Sequence, residues 1–97
     1  MEIEFDPEKE AANIAKHGVS LRLAERFVPA AALIQLDDRF DYGEPRWVAY
    51  QEIDGRLHVS VFTTRMGETR AISLRKANER EQRYVQSLRT GGKSPGV

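Results

Sequence analysis

Apolar positions along the chain recur first at a helical period, then at the two-residue period of strands, then at a helical period again. The N-terminus alternates acid with apolar over Glu2, Ile3, Glu4 and Phe5, which predicts a short strand. Asp6-Pro7 then starts a helix: Asp6 caps the free amides and Pro7 suits the first helical position. Ala11, Ile14 and Ala15 form a narrow apolar stripe, and Gly18 supplies the left-handed stop. Ser20 caps a second helix, with Ala24, Phe27 and Val28 pointing inward and Pro29 ending it. Ala31 to Leu36 is too short for another helix and reads as a strand.

An acidic loop follows from Asp37 to Pro45. Strands are expected at Trp47–Ile53, Leu57–Thr64 and Thr69–Leu74, joined by turns at Asp54-Gly55 and Met66-Gly67. In the middle one, Leu57, Val59 and Val61 take one face, and His58, Ser60, Phe62 and Thr64 the other, half-covered one. From about Lys76 the period is helical, with Ala77, Tyr84, Val85 and Leu88 on one face and Lys76, Arg80 and Arg83 on another. The predicted order is β-α-α-β-β-β-β-α. This is an α+β domain: a small antiparallel sheet packed by two N-terminal helices with a C-terminal helix. It spans 1–89, with 90–97 (TGGKSPGV) as a disordered tail.

Composition narrows the chemistry. Ninety-seven residues make one small domain. There is no cysteine, so disulfides and thiolate metal sites are excluded. No apolar run approaches a membrane span, and the acidic start is unlike a signal peptide, so a cytoplasmic location is expected. The net charge of zero hides a division. Residues 1–54 carry twelve acids and six bases, and residues 55–97 carry three acids and nine bases. That split suggests a basic face for an anionic partner.

The basic residues concentrate between Arg65 and Arg83. Arg70 and Arg75 sit on or at the end of a strand, an unusual place for idle arginines, and Arg65 lies at the preceding turn, where it can converge with them. Lys76, Arg80 and Arg83 form a supporting stripe, or a solvated one paired with Glu79 and Glu81. His17 and His58 are the two histidines. His17 reads first as a helix C-terminal contact, where the dipole favours its charged form. His58 reads first as an ordinary strand residue. Tyr84 belongs to the apolar helix face but can reach the basic residues with its hydroxyl. Trp47 and Phe62 can stack a base, though both read first as core. Asp37, Asp38, Asp41 and Glu44 lack the spacing of a calcium loop and read as a solvated loop. No zinc-ligand spacing, phosphate loop or nucleophile elbow is present.

Two stretches at this separation resemble the BrnT toxins of type II (BrnT/BrnA) toxin–antitoxin systems. FDPEKEAANIAKHGVS carries Phe5, Asp6, Pro7, Lys9, Asn13, Lys16, His17, Gly18 and Val19, and RAISLRKANEREQRYV carries Arg70, Ile72, Ser73, Arg75, Ala77, Glu81 and Tyr84. The resemblance covers about residues 3–85. It implies a RelE-like fold and a metal-independent, cofactor-free endoribonuclease that inhibits translation. It also implies an RNA substrate and a cognate BrnA-like antitoxin, through which alone DNA is contacted. On that basis Arg65, Arg70, Arg75 and Tyr84 are the expected catalytic residues, with Lys76, Arg80 and Arg83 positioning RNA. His17, His58 and Tyr84 remain open as general base or acid. The competing readings are a catalytically weak or inactive module that binds an antitoxin, and a non-catalytic nucleic-acid-binding regulator.

Overall fold

The computed structural model describes residues 3–38 and 43–91. Helix α1 (Pro7–His17) is followed by two 3-10 segments (Leu21–Arg26 and Pro29–Ala31). Strands β1 (Leu33–Leu36), β2 (Arg46–Ile53), β3 (Arg56–Arg65) and β4 (Glu68–Lys76) come next, and helix α2 (Glu79–Gly91) ends the described chain. The strands form one antiparallel sheet in the order β1-β2-β3-β4, so the architecture is α+β as expected. Asp54-Gly55 and Met66-Gly67 close its two longer hairpins with positive φ at both turn residues, the conformation that matches strand twist.

Each face of the sheet holds its own apolar cluster. On one face Ala49, Ile53, Phe62, Ala71 and Leu74 pack against Val19, Leu21, Ala24 and Phe27 from the N-terminal segment. On the other, Leu57 and Val59 pack against Ala77 and Val85, joined by half-buried Leu33, Val48 and Tyr50. α2 therefore covers part of the second face, and the N-terminal elements cover the first. His58, Ser60 and Phe62 lie on the fully covered face, so the expectation that theirs is the half-covered one is corrected.

The expected second helix is a 3-10 segment that stops at Arg26. Leu21, Ala24 and Phe27 are all fully buried at intervals of three, and a three-residue turn eclipses them on one side. Val28, expected inward, is exposed, and its amide donates to the Gln51 side chain at 2.7 Å. Pro29 opens a second 3-10 turn, so β1 begins at Leu33, two residues after the expected start.

The apolar stripe of α1 is also corrected: Ala11, Ile14 and Ala15 are exposed, and the buried residue of the helix is Asn13. Its side-chain amide donates to the carbonyls of Val19 (2.7 Å) and Leu74 (2.8 Å), and its oxygen accepts from the Leu74 amide (3.1 Å). Asn13 thus imitates a neighbouring strand and satisfies backbone groups on the outer edge of β4. The N-terminal strand is reduced to one parallel bridge at Glu4, beside Arg70 on that edge; Glu2 lies outside the described residues. Lys76 is the last residue of β4, so it does not share a helical stripe with Arg80 and Arg83. α2 runs through Gly91, two residues into the stretch assigned to the tail, and 92–97 lie outside the described residues.

Candidate nucleic-acid interface

Arg70 and Arg75 are five residues apart, an odd spacing that in a regular strand sends side chains to opposite faces. Here Arg75 lies opposite Val59 and Arg70 opposite Thr63, two positions four apart on β3 and therefore on one face. Ile72 is the extra residue that makes this possible: β4 bulges there, between the pairs Val61–Ser73 and Phe62–Ala71. The bulge brings both arginines to the second sheet face.

The two arginines occupy separate depressions. Arg75 lines a cavity of about 330 Å³ with Tyr50, Tyr84, Gln35, Asp37 and Glu81. Its two terminal nitrogens each donate to a carboxylate oxygen of Glu81 at 2.6 Å. The pairing holds the Glu81 carboxyl below its usual range and raises the Arg75 guanidinium further. The Tyr84 hydroxyl accepts from the Gln35 amide at 2.7 Å, which leaves its own proton to donate elsewhere. Its ring meets that of Tyr50 in a tilted arrangement with centroids 6.0 Å apart. Tyr84 is two-fifths exposed, so it belongs to the cavity wall more than to the core.

Arg70 and Arg65 do converge, in a smaller depression of about 90 Å³ that also takes Lys9, Arg46 and Thr63. Arg65 forks onto Glu44, with its closest contact at 2.7 Å, and this hydrogen bond is the main reason the Glu44 carboxyl lies below its usual range. Arg70 makes a longer contact of 3.4 Å to exposed Glu4. Beside Glu4, Glu68 is raised above the usual carboxylate range, first by its hydrogen bond to Glu4 and then by repulsion from that carboxylate. The acidic loop is accordingly less solvated than expected: Glu44 is engaged by Arg65 and Asp37 is buried. Asp41 lies outside the described residues. Among the described residues no three or more His, Cys, Asp or Glu gather where they would hold a metal ion.

Between the two depressions, α1 lies against β4. Lys9, Ala12, Asn13, Lys16 and His17 face Ile72 and Ser73 across a shallow cleft of about 210 Å³. Lys9 borders both this cleft and the Arg70 depression. His17 is lowered below the ordinary imidazole value, first by burial, then by Lys16 and Arg75. This reverses the expectation from the helix dipole: burial, helped by the charges of Lys16 and Arg75, outweighs the carbonyl end of α1. His17 is therefore neutral at neutral pH.

A cationic track thus runs at β4, from Arg65, Arg46 and Arg70 through Lys9 and Lys16, with neutral His17 in the same cleft, toward Arg75 further along the strand. Lys9, Lys16 and Arg46 were absent from the expected site. The seven-residue spacing of Lys9 and Lys16, which puts them on one side of a helix, was the available signal. Other expected residues stand apart. Lys76 and Arg80 are exposed at and beyond the end of β4, and Arg83 makes an exposed contact with Glu79 at 3.3 Å. His58 is buried, 5% exposed, on the sheet face away from Arg70 and Arg75, and donates from Nδ1 to the Arg56 carbonyl at 2.7 Å. Phe62 is core, and Trp47 packs against the same cluster.

Among the described residues no helix is long and apolar enough to cross a membrane. No match was found among curated proteins. The crystal structure of the ribonuclease toxin BrnT from Brucella abortus is similar to this chain, with a TM-score of 0.62 and 28% sequence identity over 81% of this chain and 99% of that one. The family described as the ribonuclease toxin, BrnT, of type II toxin-antitoxin systems matches residues 5–81. With a family match over that span and the same fold in a solved relative, the chain belongs to the BrnT ribonuclease toxins, a family whose toxins act within type II systems on RNA and are paired with an antitoxin.

Proposed function

We propose that the chain is a metal-independent endoribonuclease that blocks translation in the cytoplasm by cutting RNA, and that a BrnA-like antitoxin neutralises it by covering the cationic track. The observation that carries this reading is a line of cations at β4, Arg65, Arg70, Lys9 and Lys16, that leads to a guanidinium, Arg75, fixed by a two-pronged bond to Glu81, with His17 in the cleft between α1 and that strand. A neutral imidazole accepts a proton, and a fixed guanidinium stabilises charge that develops on phosphorus.

In the proposed reaction the RNA 2′-oxygen attacks the adjacent phosphorus while His17 takes its proton. Arg75 stabilises the extra negative charge of the phosphorane. The bond from phosphorus to the 5′-oxygen breaks, and Tyr84, oriented by Gln35, protonates the leaving oxygen. The products are a 2′,3′-cyclic phosphate and a 5′-hydroxyl. Both groups return to their starting protonation by exchange with water. Arg65, Arg70, Lys9 and Lys16 hold the flanking backbone, and Lys76, Arg80 and Arg83 form an outer rim.

Incubation of the purified chain with RNA in excess chelator tests this. Cleavage with cyclic-phosphate and 5′-hydroxyl ends is expected. Intact RNA that is nonetheless bound would support a non-catalytic RNA-binding regulator. Neither binding nor cleavage would support an inactive antitoxin-binding module, which one observation favours: Arg65, Arg70 and Arg75 each already face a carboxylate.

A further inference from the structure

Glu81 holds three groups at once. Its Oε1 accepts from Arg75 Nη1 at 2.6 Å and from the Asn78 amide at 2.9 Å, while its Oε2 accepts from Arg75 Nη2 at 2.6 Å. Asn78 returns the bond, its Oδ1 accepting from the Glu81 amide at 2.8 Å. This reciprocal capping box starts α2. Glu81 therefore cannot turn without giving up its capping bond to the Asn78 amide and both bonds to Arg75, and Arg75 cannot turn without leaving Glu81.

The pairing is end-on. It uses one hydrogen on each terminal nitrogen, and the second hydrogen of Nη1 leans toward the Lys76 carbonyl at 3.4 Å. A guanidinium has five N–H groups. The Nε–H and the second Nη2–H remain, side by side on one edge, and no hydrogen bond from Nε is made among the described residues. That edge has the spacing for two oxygens of one phosphate. The carboxylate side chain is four-fifths buried, so the clamp is held in a region of reduced solvent screening.

We infer that Glu81 is a positioning residue for RNA cleavage: it clamps Arg75 end-on so that the Nε–Nη2 edge is presented, already oriented, to the reacting phosphate. The inference rests on the ribonuclease reading above. A carboxylate close to an RNA backbone weakens ground-state binding, so Glu81 acts through fixed geometry in the transition state. Removing its charge has opposite effects on the two kinetic constants: KM stays level or falls, and kcat falls.

The test measures kcat and KM on a fluorophore–quencher RNA of mixed sequence, with melting temperature for each variant. Glu81→Gln is the central variant, because glutamine serves equally at this position of a capping box and leaves the fold intact. Its kcat is expected to fall by about tenfold, with KM unchanged or lower. Arg75→Lys, which lacks the fork, should fall similarly, and the pair Arg75→Ala with Glu81→Gln should be no slower than Arg75→Ala alone. Arg75→Ala inactive with Glu81→Gln at wild-type kcat would overturn the positioning role and leave the ribonuclease reading standing. A Glu81→Gln loss that appears only as a lowered melting temperature would also overturn it. A wild-type chain that leaves the RNA intact would overturn both.

Discussion

Arg75 and Arg70 stand on one strand and one face, yet they are held in different ways. Arg75 is forked onto a glutamate that also caps a helix, with contacts of 2.6 Å inside a cavity. Arg70 reaches an exposed glutamate at 3.4 Å, in a depression shared with Lys9, Arg46, Arg65 and one carboxylate, Asp6. A rigid guanidinium loses little freedom when it meets a transition state, so it suits chemistry. A loosely held one adjusts to a flexible backbone and contributes charge, so it suits capture. Under the proposed ribonuclease reaction, equal residue types on one strand are thus divided into a reacting end and a holding end by what lies next to each.

Arg75→Ala should produce the largest change, a loss of at least about a hundredfold in kcat/KM on RNA in a cleavage assay. Asn13→Ala comes next and acts on the scaffold. It leaves the Leu74 amide and the carbonyls of Val19 and Leu74 without their partner, at a cost of about 2–4 kcal/mol in urea unfolding. Both ends of the track should then fail together, since α1 is detached from β4. His17→Ala should slow cleavage by about tenfold or more and flatten its pH profile. Because His17 is lowered in the folded chain, wild-type activity should be full at neutral pH. It should fall on acidification with a midpoint below 6.5, the ordinary imidazole value. Arg83→Ala should change activity by less than about twofold, because its contact with Glu79 is exposed and lies outside the track.

Much of the fold was legible in the chain. The caps of α1, the two turns with positive φ, the positions of β2 to β4 and the alternation of β3 are local signals, and each formed where expected. What was not legible depends on contacts distant in sequence. An asparagine amid a polar helix face gives no sign that it will complete the edge of a strand sixty-one residues away. The intervals of three among Leu21, Ala24 and Phe27 fit an α-helix nearly as well as a 3-10 helix, and only the depth of burial decides. For the site, the arginines were visible as a cluster, but their common face was not. It depends on the bulge at Ile72, and the odd spacing of Arg70 and Arg75 argues the other way. The lowered His17 was hidden for the same reason: its burial, the main cause, comes only once α1 has docked on β4.

The division of labour between the two arginines is tested most directly by single-turnover cleavage of one RNA at saturating protein, where affinity no longer limits the rate. Wild type and Arg70→Ala should then cut at rates within about threefold of each other, while Arg75→Ala remains at least about a hundredfold slower. Equal losses in the two variants, or a larger loss for Arg70→Ala, would contradict the account.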